Sequence, residues 1–287
     1  MISAETRLCC VIGDPIKHTL SPLMHNAAFE YLGLEFIYVA FRVKADMLKK
    51  AVDGMRAFNI KGMNVTIPHK VRVMEYLDVI DEVAREIGAV NTIVNDDGVL
   101  KGFNTDGEGA LKALKEGGGD PKEKKIVILG AGGAARAVSY FIAREGPSDM
   151  VIINRTVEKA VRLARCISEK IGLEVRAKRL TVQNLKDELE DAEILINCTS
   201  VGMTPNINET LVPKGLLRGD MIVMDIVYNP VETRLLREAK ERGCLTIDGV
   251  GMLVYQGAIA FEMWTGVRAP VDVMREVIIK ALRGRRL

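Results

Sequence analysis

The sequence predicts an α/β protein built as two α/β domains flanking a cleft. Three observations carry that expectation. Short apolar runs rich in Val, Ile and Leu alternate with stretches of helical length, the pattern of a mostly parallel sheet covered by helices on both faces. The chain has 287 residues, long for one domain and comfortable for two. A flexible polar stretch, Gly117-Gly118-Gly119-Asp120-Pro121-Lys122, separates two such alternating sets. The expected division is 1–106 plus 250–287 for the first domain and 107–249 for the second.

In the first set, Arg7 to Gly13 reads as a strand. Ser21-Pro22 then opens a helix through Tyr31, with serine at the cap and proline in the first turn. Glu35 to Arg42 reads as a second strand, Asp46 to Phe58 as an amphipathic helix, and Gly62 to Val65 as a short third strand. Two helical pieces follow, Val71 to Tyr76 and Asp81 to Ile87. Val90 to Val94 and Val99 to Phe103 flank Asn95-Asp96-Asp97-Gly98, a hairpin signal that adds an antiparallel edge to the sheet. A helix from Glu108 to Lys115 leads to the glycine-rich boundary.

The second set has strands at Ile126–Leu129, Met150–Ile153, Ile194–Asn197, Met221–Asp225 and Leu245–Ile247. The last helical stretches, Gly251 to Trp264 and Val271 to Arg283, are assigned back to the first domain, which makes it discontinuous.

Composition excludes several function classes. Lys plus Arg total 40 against 38 acidic residues, a net charge of +2, and the signs alternate along helices, as in Glu238-Ala239-Lys240-Glu241-Arg242. That is a solvated face and not a nucleic-acid stripe. The small basic cluster Arg283-Gly284-Arg285-Arg286 reads as a frayed, solubilising tail. No apolar run approaches the ~20 residues a membrane helix needs, and no secretory leader is apparent. The cysteines Cys9, Cys10, Cys166, Cys198 and Cys244 are odd in number and lack a Cys-x-x-Cys spacing, so reduced thiols in a cytoplasmic protein are expected. The histidines His18, His25 and His69 have no companions at zinc-ligand spacing, and no metal is expected. An amphipathic stripe can be covered within a subunit or in a homodimer, and the sequence leaves both open.

The chemistry is carried by three segments. Lys125 to Leu129 is an apolar strand running into Gly130-Ala131-Gly132-Gly133-Ala134-Ala135 and then an apolar helix. The first glycine suits the tight turn, the second lets backbone approach a pyrophosphate, and Ala135 keeps the helix close to the strand. The phosphate would sit on the amides and positive end of the helix. A Rossmann-like dinucleotide-binding domain is therefore expected. Its next strand ends in Asn154-Arg155-Thr156, with Lys159 one turn into the following helix, where readers of NAD end in a carboxylate. Arg155 can clamp a 2′-phosphate bidentately and stack on adenine, so NADP is the expected cofactor.

The other two segments are Asn64-Val65-Thr66-Ile67-Pro68-His69-Lys70 and Asn104-Thr105-Asp106-Gly107. A lysine and an aspartate brought together beside a nicotinamide can move the proton that accompanies a hydride. Together the three segments suggest an alcohol dehydrogenase working without a metal.

These motifs, with Gly13-Asp14-Pro15-Ile16-Lys17-His18-Thr19-Leu20-Ser21-Pro22, Gly88-Ala89-Val90-Asn91-Thr92, Asn197 to Met203, and Asp248-Gly249 through Gln256-Gly257-Ala258, resemble the shikimate dehydrogenase family, in order and over essentially the whole chain. The resemblance implies NADP-dependent interconversion of 3-dehydroshikimate and shikimate, with the first domain holding substrate. It makes Lys70 the acid/base group and Asp106 its partner. Thr19 and Ser21 would bind the substrate carboxylate, Thr66, Asn91 and Gln256 would read ring hydroxyls, and Tyr228 would close over the carboxylate. Many relatives have serine where Thr19 stands; the added methyl keeps the hydroxyl. On the cofactor side it implies Thr199 and Ile226 near the nicotinamide and close backbone approach at Gly249. Hinge closure is expected, with Gly107, Gly249 and Gly251 as candidate hinges.

Other readings stay open at this point. A broader relative would also oxidise quinate or accept NAD, since one extra hydroxyl is discriminated by pocket detail. A folate-processing dehydrogenase would need an aromatic-lined pocket, and aromatics are only 5%. A non-catalytic dinucleotide sensor would share the glycine-rich turn and show no turnover.

Overall fold

The computed structural model describes residues 2–284. The chain divides into two compact units, one comprising residues through Asp106 together with those from Val254 onward, the other Gly107–Leu253. In the first unit the elements are β1 (Arg7–Gly13), α1 (Ser21–Tyr31), β2 (Phe36–Arg42), α2 (Leu48–Ala57), β3 (Gly62–Val65), β4 (Val79–Ile80), α3 (Glu82–Ile87), β5 (Thr92–Asp96) and β6 (Val99–Phe103). The helix α4 (Asp106–Glu116) opens the second unit, followed by β7 (Lys125–Leu129), α5 (Gly133–Arg144), β8 (Asp149–Asn154), α6 (Val157–Ile171), β9 (Val175–Arg179), α7 (Val182–Leu189), β10 (Ile194–Asn197), β11 (Ile222–Asp225), α8 (Arg234–Glu241) and β12 (Leu245–Ile247). α9 (Gly249–Thr265) carries the chain back into the first unit, where α10 (Val271–Gly284) packs on α1. Of the terminal basic cluster, Arg283 lies in the last turn of α10; Arg285 and Arg286 lie outside the described residues.

The first sheet has the order β2-β1-β3-β5-β6-β4 and is mixed. β1 runs parallel to both β2 and β3, whereas β5 is antiparallel to β3 and β6. The expected hairpin forms: Asp97 and Gly98 take φ of 48° and 92°, the paired left-handed turn that matches strand twist. It is not the sheet edge, however. β4, a two-residue strand in the partly exposed 77–80 segment, pairs parallel to β6 and takes that place.

Other differences have local causes. Leu20, not Ser21, is the cap residue of α1, and no side chain caps it. The helix expected from Asp46 begins as a tighter turn at Ala45–Met47 and becomes α-helical at Leu48. The strand expected from Val90 begins only at Thr92, because the Val90 amide is taken by the Lys70 carbonyl at 2.7 Å. α3 follows standard start and stop chemistry: Asp81 accepts from Val83 and Ala84 amides at 3.0 and 3.3 Å, and Gly88 closes it with φ of 71°.

The second sheet is fully parallel, in the order β12-β11-β10-β7-β8-β9. Counted from β7 this is the doubly wound order, with its switch point between β7 and β10. β9 and α7 extend it beyond the strands anticipated from sequence: β9 is Val-Arg-Ala-Lys-Arg, too polar to read as an interior strand, and it lies at the edge. Strands β7, β8, β10 and β11 are buried on both faces, which is why they read as continuous apolar runs.

The three glycines offered as candidate hinges occupy crowded positions in the first turns of two helices. Gly107, Gly249 and Gly251 lie within α4 and α9, and crowding accounts for their small side chains. A Cβ would come 2.5 Å from the Ala137 oxygen at Gly107, 2.4 Å from the Ile226 oxygen at Gly249, and 3.0 Å from the Ala113 Cβ at Gly251. Among the described residues no helix is long and apolar enough to cross a membrane.

Candidate active site

In the first sheet, four strand ends meet at one edge. β1 and β3 end there in parallel, Ile12 beside Val65. β5 starts there, Thr92 lying opposite both Asn64 and Phe103, and β6 ends there. The segments beyond these ends are the ones that carry Thr19 and Ser21, Thr66 and Lys70, Asn91, and Asp106. Strand pairing thus gathers residues far apart in sequence.

Lys70 Nζ donates to Asp106 Oδ2 in a pair that is 15% and 6% exposed. Such a pair is held by more than Coulomb attraction, because each buried charge needs further partners. Asn91 Nδ2 donates to the other carboxylate oxygen, Asp106 Oδ1, at 2.8 Å and to Thr105 Oγ1 at 3.0 Å. The Asn91 side-chain oxygen accepts from the Thr105 amide at 2.8 Å. Asn104 fixes the same turn, its oxygen accepting from the Asp106 amide at 3.1 Å while its Nδ2 donates to the Ala89 carbonyl at 2.9 Å. Asn91, expected to read a ring hydroxyl, therefore has both amide hydrogens engaged by Asp106 and Thr105 and holds the carboxylate in place.

A further polar layer went unassigned in the sequence. Asn64 is 7% exposed and donates to the Asn91 carbonyl and to Thr92 Oγ1 at 3.2 and 3.1 Å. Tyr38, 1% exposed, donates to Asn64 Oδ1 at 2.7 Å, and its hydroxyl also meets Ser21. The chain of contacts Ser21–Tyr38–Asn64–Thr92–Asn91–Asp106–Lys70 links the segment after β1 to the acid/base pair. The signal for Asn64 was available: an amide in the middle of an otherwise apolar strand must be satisfied there. Tyr38 carried none, since aromatic residues are common in strands.

Thr19 Oγ1 lies 3.2 Å from Ser21 Oγ and accepts from the Ser21 amide at 3.3 Å, so a hydroxyl two residues earlier serves the first turn where Ser21 was expected as the cap. Thr66 is half-buried beside Gly13. A Cβ at Gly13 would fall 2.4 Å from Thr66 Cγ2 and 3.1 Å from the Ile67 oxygen, so the glycine sets the position of the Thr66 turn. Gly13→Ala should displace Thr66, costing about 1–3 kcal/mol of stability and raising the KM for substrate more than that for cofactor. Thermal unfolding and steady-state kinetics check both; unchanged substrate KM would sink the role given to Thr66. His69 is spent structurally, with Nε2 2.6 Å from the Val43 carbonyl. Gln256 is half-buried on α9, and Tyr228 is half-buried in the second unit, in the loop after β11.

The cofactor-assigned residues follow the carboxyl ends of neighbouring strands in the second sheet, where open parallel sheets bind ligands. The Gly130 amide donates to the Ile153 carbonyl at 2.9 Å, the Cys198 amide to Leu129 at 2.8 Å, and the Ile226 amide to Asn197 at 3.1 Å. These bonds set Gly130–Ala134, Asn154–Thr156, Thr199 and Ile226 side by side. Gly130 has φ of 112°, and a Cβ there would lie 3.0 Å from the Cys198 oxygen; only glycine serves. At Gly132 a Cβ would meet nothing within 4 Å, and no side chain caps α5. Free amides under open space suit a pyrophosphate. Asn154 Nδ2 donates to the Thr156 carbonyl at 2.8 Å, shaping the turn that leaves Arg155 and Lys159 exposed. The crowding at Gly249 is against Ile226, the chain's own backbone. Among the described residues no group of three or more His, Cys, Asp or Glu side chains is arranged to hold a metal ion.

Known proteins resemble the chain along its whole length. Residues 11–93 match the shikimate dehydrogenase substrate binding domain, residues 112–248 match shikimate / quinate 5-dehydrogenase, and residues 249–279 match the shikimate 5'-dehydrogenase C-terminal domain. A shikimate dehydrogenase (NADP(+)) of Methanopyrus kandleri is 53% identical over 284 residues, 98% of each chain. The chain belongs to the shikimate dehydrogenase family. A crystal structure of a family member in complex with NADP+ superimposes with a TM-score of 0.93 at 51% identity, covering 98% of both chains. The Listeria monocytogenes shikimate 5-dehydrogenase, in complex with shikimate and NAD, gives 0.91 at 44% identity, covering 96% of this chain and 98% of that one. The first unit is thus the substrate domain of the family and the second its Rossmann-like domain.

Proposed function

We propose that the chain catalyses the reversible NADPH-dependent reduction of 3-dehydroshikimate to shikimate, in the route to aromatic amino acids. The observation that carries this reading is the buried Lys70–Asp106 pair, held by Asn91 at the edge where four strand ends meet. In a family defined by shikimate oxidation, such a pair matches the need for a proton donor beside a carbonyl.

Bound NADPH supplies the hydride. Lys70 supplies the proton, Nζ giving it to the oxygen at C3 as negative charge develops there; in the reverse direction Lys70 takes the proton from the C3 hydroxyl. Its ammonium also stabilises the developing alkoxide. Asp106 keeps the lysine aimed and hydrogen-bonds a ring hydroxyl, with Asn91 fixing the carboxylate. Thr19 and Ser21, at the start of α1, hold the substrate carboxylate with help from the helix N-terminus, joined by Tyr228. Thr66 and Gln256 read the ring hydroxyls, while Asn91, its amide spent on Asp106 and Thr105, acts on the ring through the carboxylate that it holds.

Gly130, Ala131, Gly132, Gly133 and Ala134 hold the pyrophosphate, Asn154, Arg155, Thr156 and Lys159 the 2′-phosphate end, and Thr199, Ile226 and Gly249 the nicotinamide end. All five cysteines are free, in keeping with a cytoplasmic setting.

The deciding assay follows nicotinamide absorbance for shikimate and quinate with NADP⁺ and NAD⁺ in all four pairings. Fast turnover with shikimate and NADP⁺ alone is expected. Turnover with quinate or NAD⁺ would instead place the protein with the broader members, a reading given weight by the NAD bound to the Listeria relative. No turnover in any pairing, from folded protein that binds NADP⁺, would leave a sensor.

A further inference from the structure

β10 and β11 end on two polar residues inside an apolar sheet. Asn197 and Asp225 are partners across the parallel ladder, 3% and 0% exposed, and Asn197 Nδ2 donates to Asp225 Oδ1 at 2.9 Å. Hydrogen bonds fan out from this pair into both following loops. The Asn197 side-chain oxygen accepts from the Thr199 amide at 3.1 Å and from Thr199 Oγ1 at 2.8 Å, and Thr199 Oγ1 accepts in turn from the Val201 amide at 3.2 Å. Asp225 Oδ1 also accepts from the Val227 amide at 3.0 Å, and Oδ2 accepts from Thr233 Oγ1 at 2.7 Å. Thr233 is itself the cap of α8, taking the Leu236 amide at 3.3 Å.

Asp225 has neutral donors and, among the described residues, no cation beside it. The titratable neighbour facing it is Cys198, whose thiol is pushed up by burial and by the Asp225 charge. Burial likewise raises the Asp225 carboxyl to about 6, the Thr233, Val227 and Asn197 bonds pulling it back down. The folded value stands above the ordinary 3.8. Its stabilising contribution is therefore complete below that ordinary value and is lost as pH rises through about 6. At neutral pH the buried charge costs stability relative to the protonated form, partly offset by the three hydrogen bonds that the carboxylate accepts.

We propose that Asp225 is a positioning residue for hydride transfer, latching together through Asn197, Val227 and Thr233 the two loops that carry Thr199, Ile226 and Tyr228. The proposal rests on the reading of the second unit as the NADP domain. It predicts damage confined to the nicotinamide end. The Arg155 turn follows β8, separated from β10 by β7, and is not part of the latch.

The test uses the full chain with Asp225→Ala, which releases every arm, and Asp225→Asn, which keeps the shape, leaves an oxygen for the Asn197 and Val227 donors and turns its amide to the Thr233 hydroxyl, which can accept. Adenosine 2′,5′-bisphosphate, which carries the 2′-phosphate and adenosine without nicotinamide, probes the far end by calorimetry. Single-turnover hydride transfer is followed by rapid mixing. The expected result for Asp225→Ala is bisphosphate affinity within about threefold of wild type and hydride transfer slowed by about 10–10²-fold, the scale set by a misplacement near 1 Å. Asp225→Asn should recover most of that rate, with a Tm at pH 7.5 no lower than wild type.

Hydride transfer within twofold of wild type in a folded Asp225→Ala protein would overturn the latch. So would bisphosphate affinity and rate falling together, which would mark a general structural role. If Asp225→Ala does not fold, Asn197→Ala, which cuts the bond between the two loops, takes its place, and hydride transfer within twofold of wild type in that folded variant overturns the latch. Wild type that turns over but fails to bind the bisphosphate would overturn the cofactor reading beneath the proposal, a failure visible before any variant is made.

Discussion

Lys70→Ala should slow hydride transfer to 3-dehydroshikimate by about 10²–10⁴-fold, the usual worth of a positioned acid/base group, and leave NADP⁺ affinity within a few-fold. The split follows from placement: Lys70 belongs to the first unit, and every residue assigned to the cofactor precedes the re-entry at Val254 and follows Asp106. The substitution also strips Asp106 of its cation in a buried site, and breaking such a pair costs on the order of 3–5 kcal/mol. Stability and chemistry must therefore be separated. Adding Asp106→Asn to Lys70→Ala removes the stranded charge and should restore much of the stability while activity stays lost. Trp264 is a convenient reporter. It is the chain's one tryptophan, 2% exposed, and donates to the Ile93 carbonyl at 3.0 Å in the unit that holds the pair. Wild-type rates from a folded Lys70→Ala protein would remove Lys70 from the chemistry.

Arg155→Ala should reduce the preference for NADP⁺ over NAD⁺, measured as the ratio of kcat/KM values, by on the order of 10²–10⁴-fold. Two charge-assisted bonds to a 2′-phosphate are worth roughly 1.5–3 kcal/mol each, and every 1.4 kcal/mol is about tenfold. Activity with NAD⁺ should fall by only about 2–5-fold, the worth of the lost stacking on adenine, because NAD carries no 2′-phosphate to lose. Folding should be unaffected: Arg155 is exposed and forms no ion pair among the described residues, and such surface changes stay within about 0.5 kcal/mol. An unchanged cofactor ratio would show that Lys159 or the backbone carries the discrimination instead.

The strands buried on both faces were legible because their apolar runs are uninterrupted, as at Ile126–Leu129 and Met150–Ile153. Punctuation placed others: Asp81 and Gly88 bracket α3, and Asp97-Gly98 turns the β5–β6 hairpin. The elements that escaped notice are those whose strand character comes from a neighbour. β4 has two residues and exists by pairing with β6; β9 is polar and exists as an edge of the second sheet. The cap of α1 misled for a related reason, since Ser21 has cap chemistry but the Thr19 hydroxyl satisfies its amide.

The local signals carried the fold class, the glycine-rich turn after β7 and the chemical types at Lys70, Asp106 and Arg155. Each depends on one short segment, where periodicity, turn chemistry and charge act over a few residues. Strand order lay beyond that reach, and with it the meeting of Lys70 with Asp106 and the capture of Asn91 by that carboxylate. So did the layer through Tyr38 and Asn64 and the crowding at Gly107, Gly249 and Gly251. These depend on pairing across tens of residues, because a buried polar group must find its partner wherever the packed chain brings one within hydrogen-bond distance, and that partner is named by the sheet and not by the neighbouring sequence.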